Sequence, residues 1–263
     1  MSENTQSYSA KGEVSNITKR RTRFERIKIA FSKAPLSAWF GMIVLSIYLF
    51  AAFFAPFIAP HGEAEVFPVA YAPWGGEHLL GTDQIGRDIL SRLIFASRNT
   101  LGICFLACSI ALIIGTIFGI IAAIDRSYID QILSRSIDTL MAIPVMIFTF
   151  ILLSVFGPSN LNLILILGVL ESTRFFRISR SVAVGQVVLE YVEVAKLRGE
   201  KLSYIIFREI LPNIASPLIV EFGIRFIFII FTVSSLSFLG LGIQPPAADW
   251  LSLIHISEPT RRV

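Results

Sequence analysis

Residues Asn99–Ile124 read NTLGICFLACSIALIIGTIFGIIAAI, 26 residues without one charge. A bilayer hydrocarbon core about 30 Å thick needs about 20 helical residues, so this stretch is long enough to cross it. Working outward, Ala34–Pro60 is also uncharged, and its Leu36–Ala59 stretch is too long and too late to be a signal peptide. Thr139–Leu170 is charge-free for 32 residues, too many for one span. The run Gly157-Pro158-Ser159-Asn160 splits it with turn chemistry. A last apolar stretch, near Pro217–Gly240, carries Glu221 and Arg225 at its start. The expectation is an all-α integral membrane bundle with spans at about 36–59, 100–124, 137–156, 160–178 and 217–240. The fourth is the least apolar, because Glu171 and Arg174 fall within it.

Composition agrees. Apolar residues make up 54% and charged residues 16% of 263, and the mean hydropathy is +0.70. A soluble core of this size could not hide so much apolar surface behind so few charges. Disorder and a disulfide scaffold are excluded on the same figures. Cys104 and Cys108 lie one helical turn apart in an apolar run and read as small packing residues. His61, His78 and His255 are scattered, with no spacing that suggests a metal site, so no metal is expected. The net charge of +4 is too small to imply nucleic acid.

The placement of the charges orients the spans. Residues 1–33 hold eight basic side chains, and the segment 171–216 holds seven. Counting four crossings between them puts both on one side, together with Arg126 and Arg135, and the positive-inside rule makes that side the cytoplasm. The basic tail 1–33 reads as a solvated segment drawn to the anionic inner leaflet. Pro144, inside the third span, kinks it. That kink either shapes a translocation path or is an ordinary bend of the bundle.

About 40 residues separate Glu171 from the fifth span, a long connection for a compact bundle. Glu190–Arg198 is a short helical run stopped by Gly199, and Glu200–Leu211 resumes helical character until Pro212 ends it. Two short helices at an angle, carrying both charge signs with Tyr and Phe, form a knob that fits a groove on another protein. The knob contains no nucleophile–base pair and performs no chemistry.

The spacing Glu193-x-Ala195-x3-Gly199, with Leu211-Pro212 twelve residues after the glycine, resembles the EAA loop of ABC-importer permease subunits. GTDQIGRDILSR (Gly81–Arg92), DTLMAIP (Asp138–Pro144) and LSFLGLGIQPPAADW (Leu236–Trp250) look like the second, "C"-type permease of the oligopeptide, dipeptide and nickel branch. The likeness runs from about residue 30 to Trp250.

The resemblance implies a type I importer permease core over 97–250, preceded by a first span and external loop over 34–96. It implies that the loop 186–212 couples to a cytosolic ATP-binding subunit through Glu190, Glu193, Ala195, Lys196, Arg198, Gly199, Leu211 and Pro212. Gly199 would turn the chain in the partner's cleft, with Glu193 and Ala195 on the contact face. A second homologous permease, two ATP-binding subunits carrying ATP and magnesium, and an external solute-binding protein are the implied partners. No cofactor is expected on this chain, and it contains no Gly-x4-Gly-Lys-Ser/Thr loop. The same likeness places the chain in the inner membrane, with cargo either peptide or nickel.

Two readings stand for the external motif of Gly81, Thr82, Asp83, Gly86, Arg87, Asp88, Ser91 and Arg92. It is a locally paired turn, with Arg87 four residues after Asp83, or a contact for a delivery protein or partner permease. Glu221 and Arg225 read as an ion pair with the arginine snorkelling, or as pathway groups. Residues 251–263 match nothing in the family pattern, where a sixth span is expected, and are read as foreign. The alternative function is an autonomous carrier or channel, but such proteins favour inverted repeats and midplane acids, which this sequence does not display.

Overall fold

The computed structural model describes Ser32 and residues 34–76, 78–125, 127–250 and 253. The tails 1–31 and 254–263, with Lys33, Glu77, Arg126, Leu251 and Ser252, lie outside the described residues, and so do the readings made on them. The described residues up to Ile47 belong to one compact unit and those from Tyr48 onward to another.

Helix α1 (Leu36–Ile58) is apolar on every face, with Leu36, Phe40, Phe53 and Phe57 more than two-thirds exposed, as suits a helix whose solvent is lipid. Helix α2 (Ile89–Ile124) is 36 residues and about 54 Å long, more than a single crossing requires. It starts well before the expected residue 100, because Asp88 caps it and nothing between 89 and 99 breaks it. The expected boundary at residue 97 falls inside this helix.

The third span differs from expectation. Two helices, α3 (Tyr128–Met141) and α4 (Val145–Phe156), meet at 85°, so 137–156 is not one continuous helix. Pro144 does not bend a continuous helix. It occupies the position just before α4, with φ −55° and ψ 126°, where its missing N–H costs nothing. The twelve residues of α4 reach only about 18 Å.

Helix α5 (Asn160–Val187) begins where the Gly157–Asn160 turn predicts: Gly157 has φ 88°, and the Ser159 hydroxyl accepts from the Asn162 N–H at 3.2 Å. It continues past 178, and its Glu171 is buried among neighbouring helices. Helix α6 (Glu190–Leu197) is followed by α7 (Leu202–Tyr204), a π-helical turn (Ile205–Ile210) and α8 (Leu211–Phe238). The last three run as one apolar helix from Leu202 to Phe238. Pro212 therefore starts α8 instead of ending the preceding piece. The Leu211 N–H reaches back to the Ile206 carbonyl, a widened turn that accommodates a proline lacking its own donor. Among the described residues three helices are long and apolar enough to cross a membrane, or four with the bent α3–α4 pair, and five straight spans are not seen.

The core lies where α2 meets α5. Ala107, Ala111, Gly115 and Gly119 repeat every fourth residue along α2, and this stripe of small residues admits the α5 backbone. A Cβ on Gly115 would meet the Phe176 N at 2.8 Å, and one on Gly119 the Phe176 carbonyl at 2.8 Å. Cys104 and Cys108 are fully buried on the same side, as packing residues.

Candidate functional site

Between α5 and α8 the chain forms a compact lever. Glu190 and Glu193 sit in the first turn of α6 and Lys196 in its last, each complementing the helix dipole. Beyond the cap Arg198, Gly199 takes φ +73°, its N–H donating to the Lys196 carbonyl at 3.0 Å while the Glu200 N–H donates to the Ala195 carbonyl at 3.2 Å. This is the paired closure of a Schellman motif, which favours glycine at the left-handed position.

Val192 and Ala195 point inward and are fully buried in the core that includes Ile205, Ile206 and Ile210. Here the structure corrects an expectation. Ala195 does not lie on an outer contact face; its small side chain lets α6 settle on the π-helical turn. Glu190, Glu193, Lys196 and Arg198 are exposed, as are Val194 and Leu197, the latter 81% accessible. Leu211 and Pro212, expected beside them, belong to the base of the lever. The Tyr191 hydroxyl secures that base, donating to Gln186 Oε1 at 2.8 Å and accepting from Asn213 Nδ2 at 3.2 Å. One side chain thereby ties α6 to the end of α5 and the start of α8.

At the other end of α2, the Gly81–Arg92 motif folds into a tight cap. Gly81 and Gly86 have φ +79° and +87°, and a Cβ at either would collide with the carbonyl of Ala72 or Phe67. Asp83 is the hub. Its Oδ1 accepts from the Ile85 and Arg87 N–H groups, each at 2.9 Å, and its Oδ2 pairs with Arg87 Nε at 2.8 Å, with Arg92 Nε at 3.8 Å. Burial alone would raise the Asp83 carboxyl, but those two N–H donors and the Arg87 guanidinium outweigh it and hold it below the ordinary carboxylate range. Thr82 Oγ1 donates to the Val69 carbonyl and accepts from the Ala72 N–H. Thr82, Asp83, Arg87, Asp88, Ser91 and Arg92 are all buried, so their side chains hold the cap together and present no contact surface.

The Leu236–Trp250 segment folds back onto this end. Glu63 Oε1 accepts from Asn99 Nδ2 at 2.7 Å and from the Ala248 N–H at 2.6 Å, joining the loop before α2, α2 itself and the segment after α8. Trp250 Nε1 donates to the Leu93 carbonyl at 3.4 Å, and its ring meets Tyr48 edge-on at 5.3 Å.

Several charged groups within the bundle are paired. Arg225 Nε donates to Glu221 Oε1 at 2.6 Å, Arg225 Nη1 lies 3.9 Å from Glu171 Oε2, and the guanidinium rests 4.9 Å from the Phe228 ring. The expected Glu221–Arg225 pair thus extends across helices to Glu171. Two further pairs hold α3 to α5 and were invisible in the sequence: Asp130 with Arg180, bidentate at 2.5 and 2.6 Å, and Asp138 with Arg177 at 2.6 Å. The histidines expected to be scattered are not all so. His61 and His78 lie with ring centroids 5.2 Å apart, beside Asp88.

Comparison with known proteins agrees with this architecture. The family of binding-protein-dependent transport system inner membrane components matches residues 115–257, and that of the N-terminal TM domain of oligopeptide transport permease C matches residues 31–73. The dipeptide transport system permease protein of Alkalihalophilus pseudofirmus is 34% identical over 220 residues, covering 83% of this chain and 72% of that protein. Its counterpart in Escherichia coli K12 is 35% identical over 231 residues, 85% and 77% of the two chains. A putative peptide transport system permease protein of Brucella suis is 36% identical over 216 residues, 81% and 72%.

Proposed function

We propose, because this chain belongs to the family of binding-protein-dependent transport system inner membrane components, that it forms half of the translocation pathway of an ATP-driven peptide importer. As a member it is a multi-pass inner-membrane transport subunit and not an enzyme. The cargo reading comes from relatives named for dipeptide and di/tripeptide transport, which favours peptide over nickel and a driven permease over an autonomous carrier.

The observation that carries the mechanism is the lever: α6 is exposed along one side, buried along the other and stopped by a glycine-closed cap. In this reading its exposed side seats in a cytosolic ATP-binding subunit, placing the N-terminus in the cytoplasm as the basic segments suggest. A second homologous permease carries an equivalent lever, a second ATP-binding subunit holds it, and an external solute-binding protein delivers cargo. ATP and its magnesium belong to those ATP-binding chains.

When the ATP-binding pair closes, force on α6 passes through Val192 and Ala195 into the π-helical turn, which is continuous with α8. Tyr191 transmits the same displacement to α5. Both long helices then tilt together, coupled further along by Arg225 and Glu171. Nucleotide shifts this equilibrium only by its tighter binding to the closed state.

Reconstitution tests the reading. The complex captured through a tag on this chain, placed in proteoliposomes with the solute-binding protein, should accumulate labelled dipeptide on ATP addition. Accumulation driven by an ion gradient without ATP would refute it, as would capture of the chain without any ATP-binding subunit.

A further inference from the structure

Beside the cap of α2, three side chains from separate segments converge: His61, His78 and Asp88. One ring nitrogen from each histidine and one Asp88 oxygen lie within 4.8 Å of one another, and among the described residues no other such trio of histidine, cysteine or acidic groups occurs. Its neighbours order the trio. Asp88 Oδ2 is fixed by the Ser91 N–H at 2.8 Å and the Ser91 hydroxyl at 2.6 Å, leaving Oδ1 to face His78 Nδ1 at 3.1 Å. The same Ser91 oxygen accepts the His61 backbone N–H at 3.0 Å. Phe67 packs edge-on against both imidazoles, with centroids 4.8 and 4.6 Å away, and walls the trio on one side.

The geometry points to a binding site for a divalent transition-metal ion of the zinc class, with His61, His78 and Asp88 as its three protein ligands. Two imidazoles and a carboxylate suit zinc and its neighbours, whereas magnesium and calcium demand oxygen-rich shells. Tetrahedral zinc with bonds of 2.0–2.1 Å holds its ligand atoms about 3.3 Å apart. The 3.1 Å separation of His78 Nδ1 and Asp88 Oδ1 already matches that spacing. The His61 nitrogen lies within 4.8 Å of the other two ligand atoms, so a change in its side-chain torsions would be needed to bring it to bonding distance. The His78 side chain is 12% exposed and that of Asp88 2%, which leaves the fourth position to water on the His61 side.

Binding requires a lone pair on His78 Nδ1. The neutral ring therefore carries its proton on Nε2, or releases one if it was protonated. Ser91 then acts as the outer partner that aims both Asp88 and the His61 backbone. The ion would bond the loop carrying His61 and His78 to the N-terminal cap of α2, in addition to the hydrogen bonds already joining them. The inference uses only groups of this chain and does not rest on the proposed transport role.

Zinc itself is the probe. The full chain, purified with a tag free of histidine and reconstituted in nanodiscs, is titrated with Zn²⁺ against a chromophoric chelator. One ion per chain is expected, with affinity falling at least about tenfold in both His61→Ala and His78→Gln. Absence of binding, or unchanged affinity in either variant, overturns the proposal. A wild-type measurement guards against misfolded variants: Zn²⁺ should block diethyl pyrocarbonate modification of His61, mapped by mass spectrometry. Equal modification with and without zinc overturns it as well.

Discussion

Replacing Gly199 by two different side chains separates strain inside the chain from contact outside it. Gly199 sits at φ +73°, so any L-residue there incurs left-handed backbone strain of about 1–2 kcal/mol. A Cβ built on Gly199 meets nothing within 4 Å, so size adds no clash within this chain. Gly199→Ala and Gly199→Trp should therefore lower the thermal stability of the isolated subunit by similar amounts. They should part company once the subunit is assembled. If the lever end enters a cleft, alanine retains most ATP-driven dipeptide uptake while tryptophan abolishes it and leaves ATP hydrolysis uncoupled. Uptake and ATPase rate, read side by side in proteoliposomes, decide the matter. Equal uptake by the two variants at equal expression would refute the idea that Gly199 approaches a partner.

Further outcomes follow from named contacts. Gly115→Val drives a branched side chain into the α5 backbone at Ser172 and Phe176, and should cost about 3 kcal/mol or prevent folding, seen as aggregation in detergent size exclusion. Asp130→Asn loosens α3 from α5, but Arg180 is over a third exposed, so a loss of only about 1 kcal/mol in thermal unfolding is expected. The Asp83 carboxyl has a depressed pKa in the folded chain, so its stabilisation is complete above the unfolded value near 4 and is lost as pH falls through the folded one. Asp83→Asn should flatten that acid limb of the stability profile, measured by unfolding between neutral pH and pH 2. Membrane-impermeant labelling of cysteines placed at Ser203 and Gly75 should mark opposite faces; labelling of both from one side would overturn the proposed topology.

Much of the helical framework is legible because its signals are local. The charge-free run 99–124, the Gly157–Asn160 turn and the Asp83–Arg87 spacing each depend on neighbours within a few residues. Gly199 is legible for the same reason, since a helix end needs a left-handed residue at that point. Pro144 and Pro212 mislead because a proline announces a break without saying which side of it the helix lies. Pro144 precedes α4, and Pro212 opens α8 behind a π turn. Ala195 is a subtler miss: its small size suits close approach equally from inside or outside, and only packing reveals that it faces Ile205 and Ile210. The His61–His78–Asp88 trio, the Glu63–Asn99–Ala248 junction and the α3–α5 ion pairs join residues 10 to 185 positions apart, where sequence spacing carries no signal.

Coupling to ATP depends on the exposed side of α6 seating in an ATP-binding protein. A cysteine at Leu197, the most exposed apolar position of that helix, offers the most direct probe. Crosslinked in the native membrane with a short bifunctional reagent, it should yield one dominant adduct with a nucleotide-hydrolysing subunit, its yield changing with ATP. Adducts confined to lipid or to other permease chains, with none to an ATPase, would contradict the account.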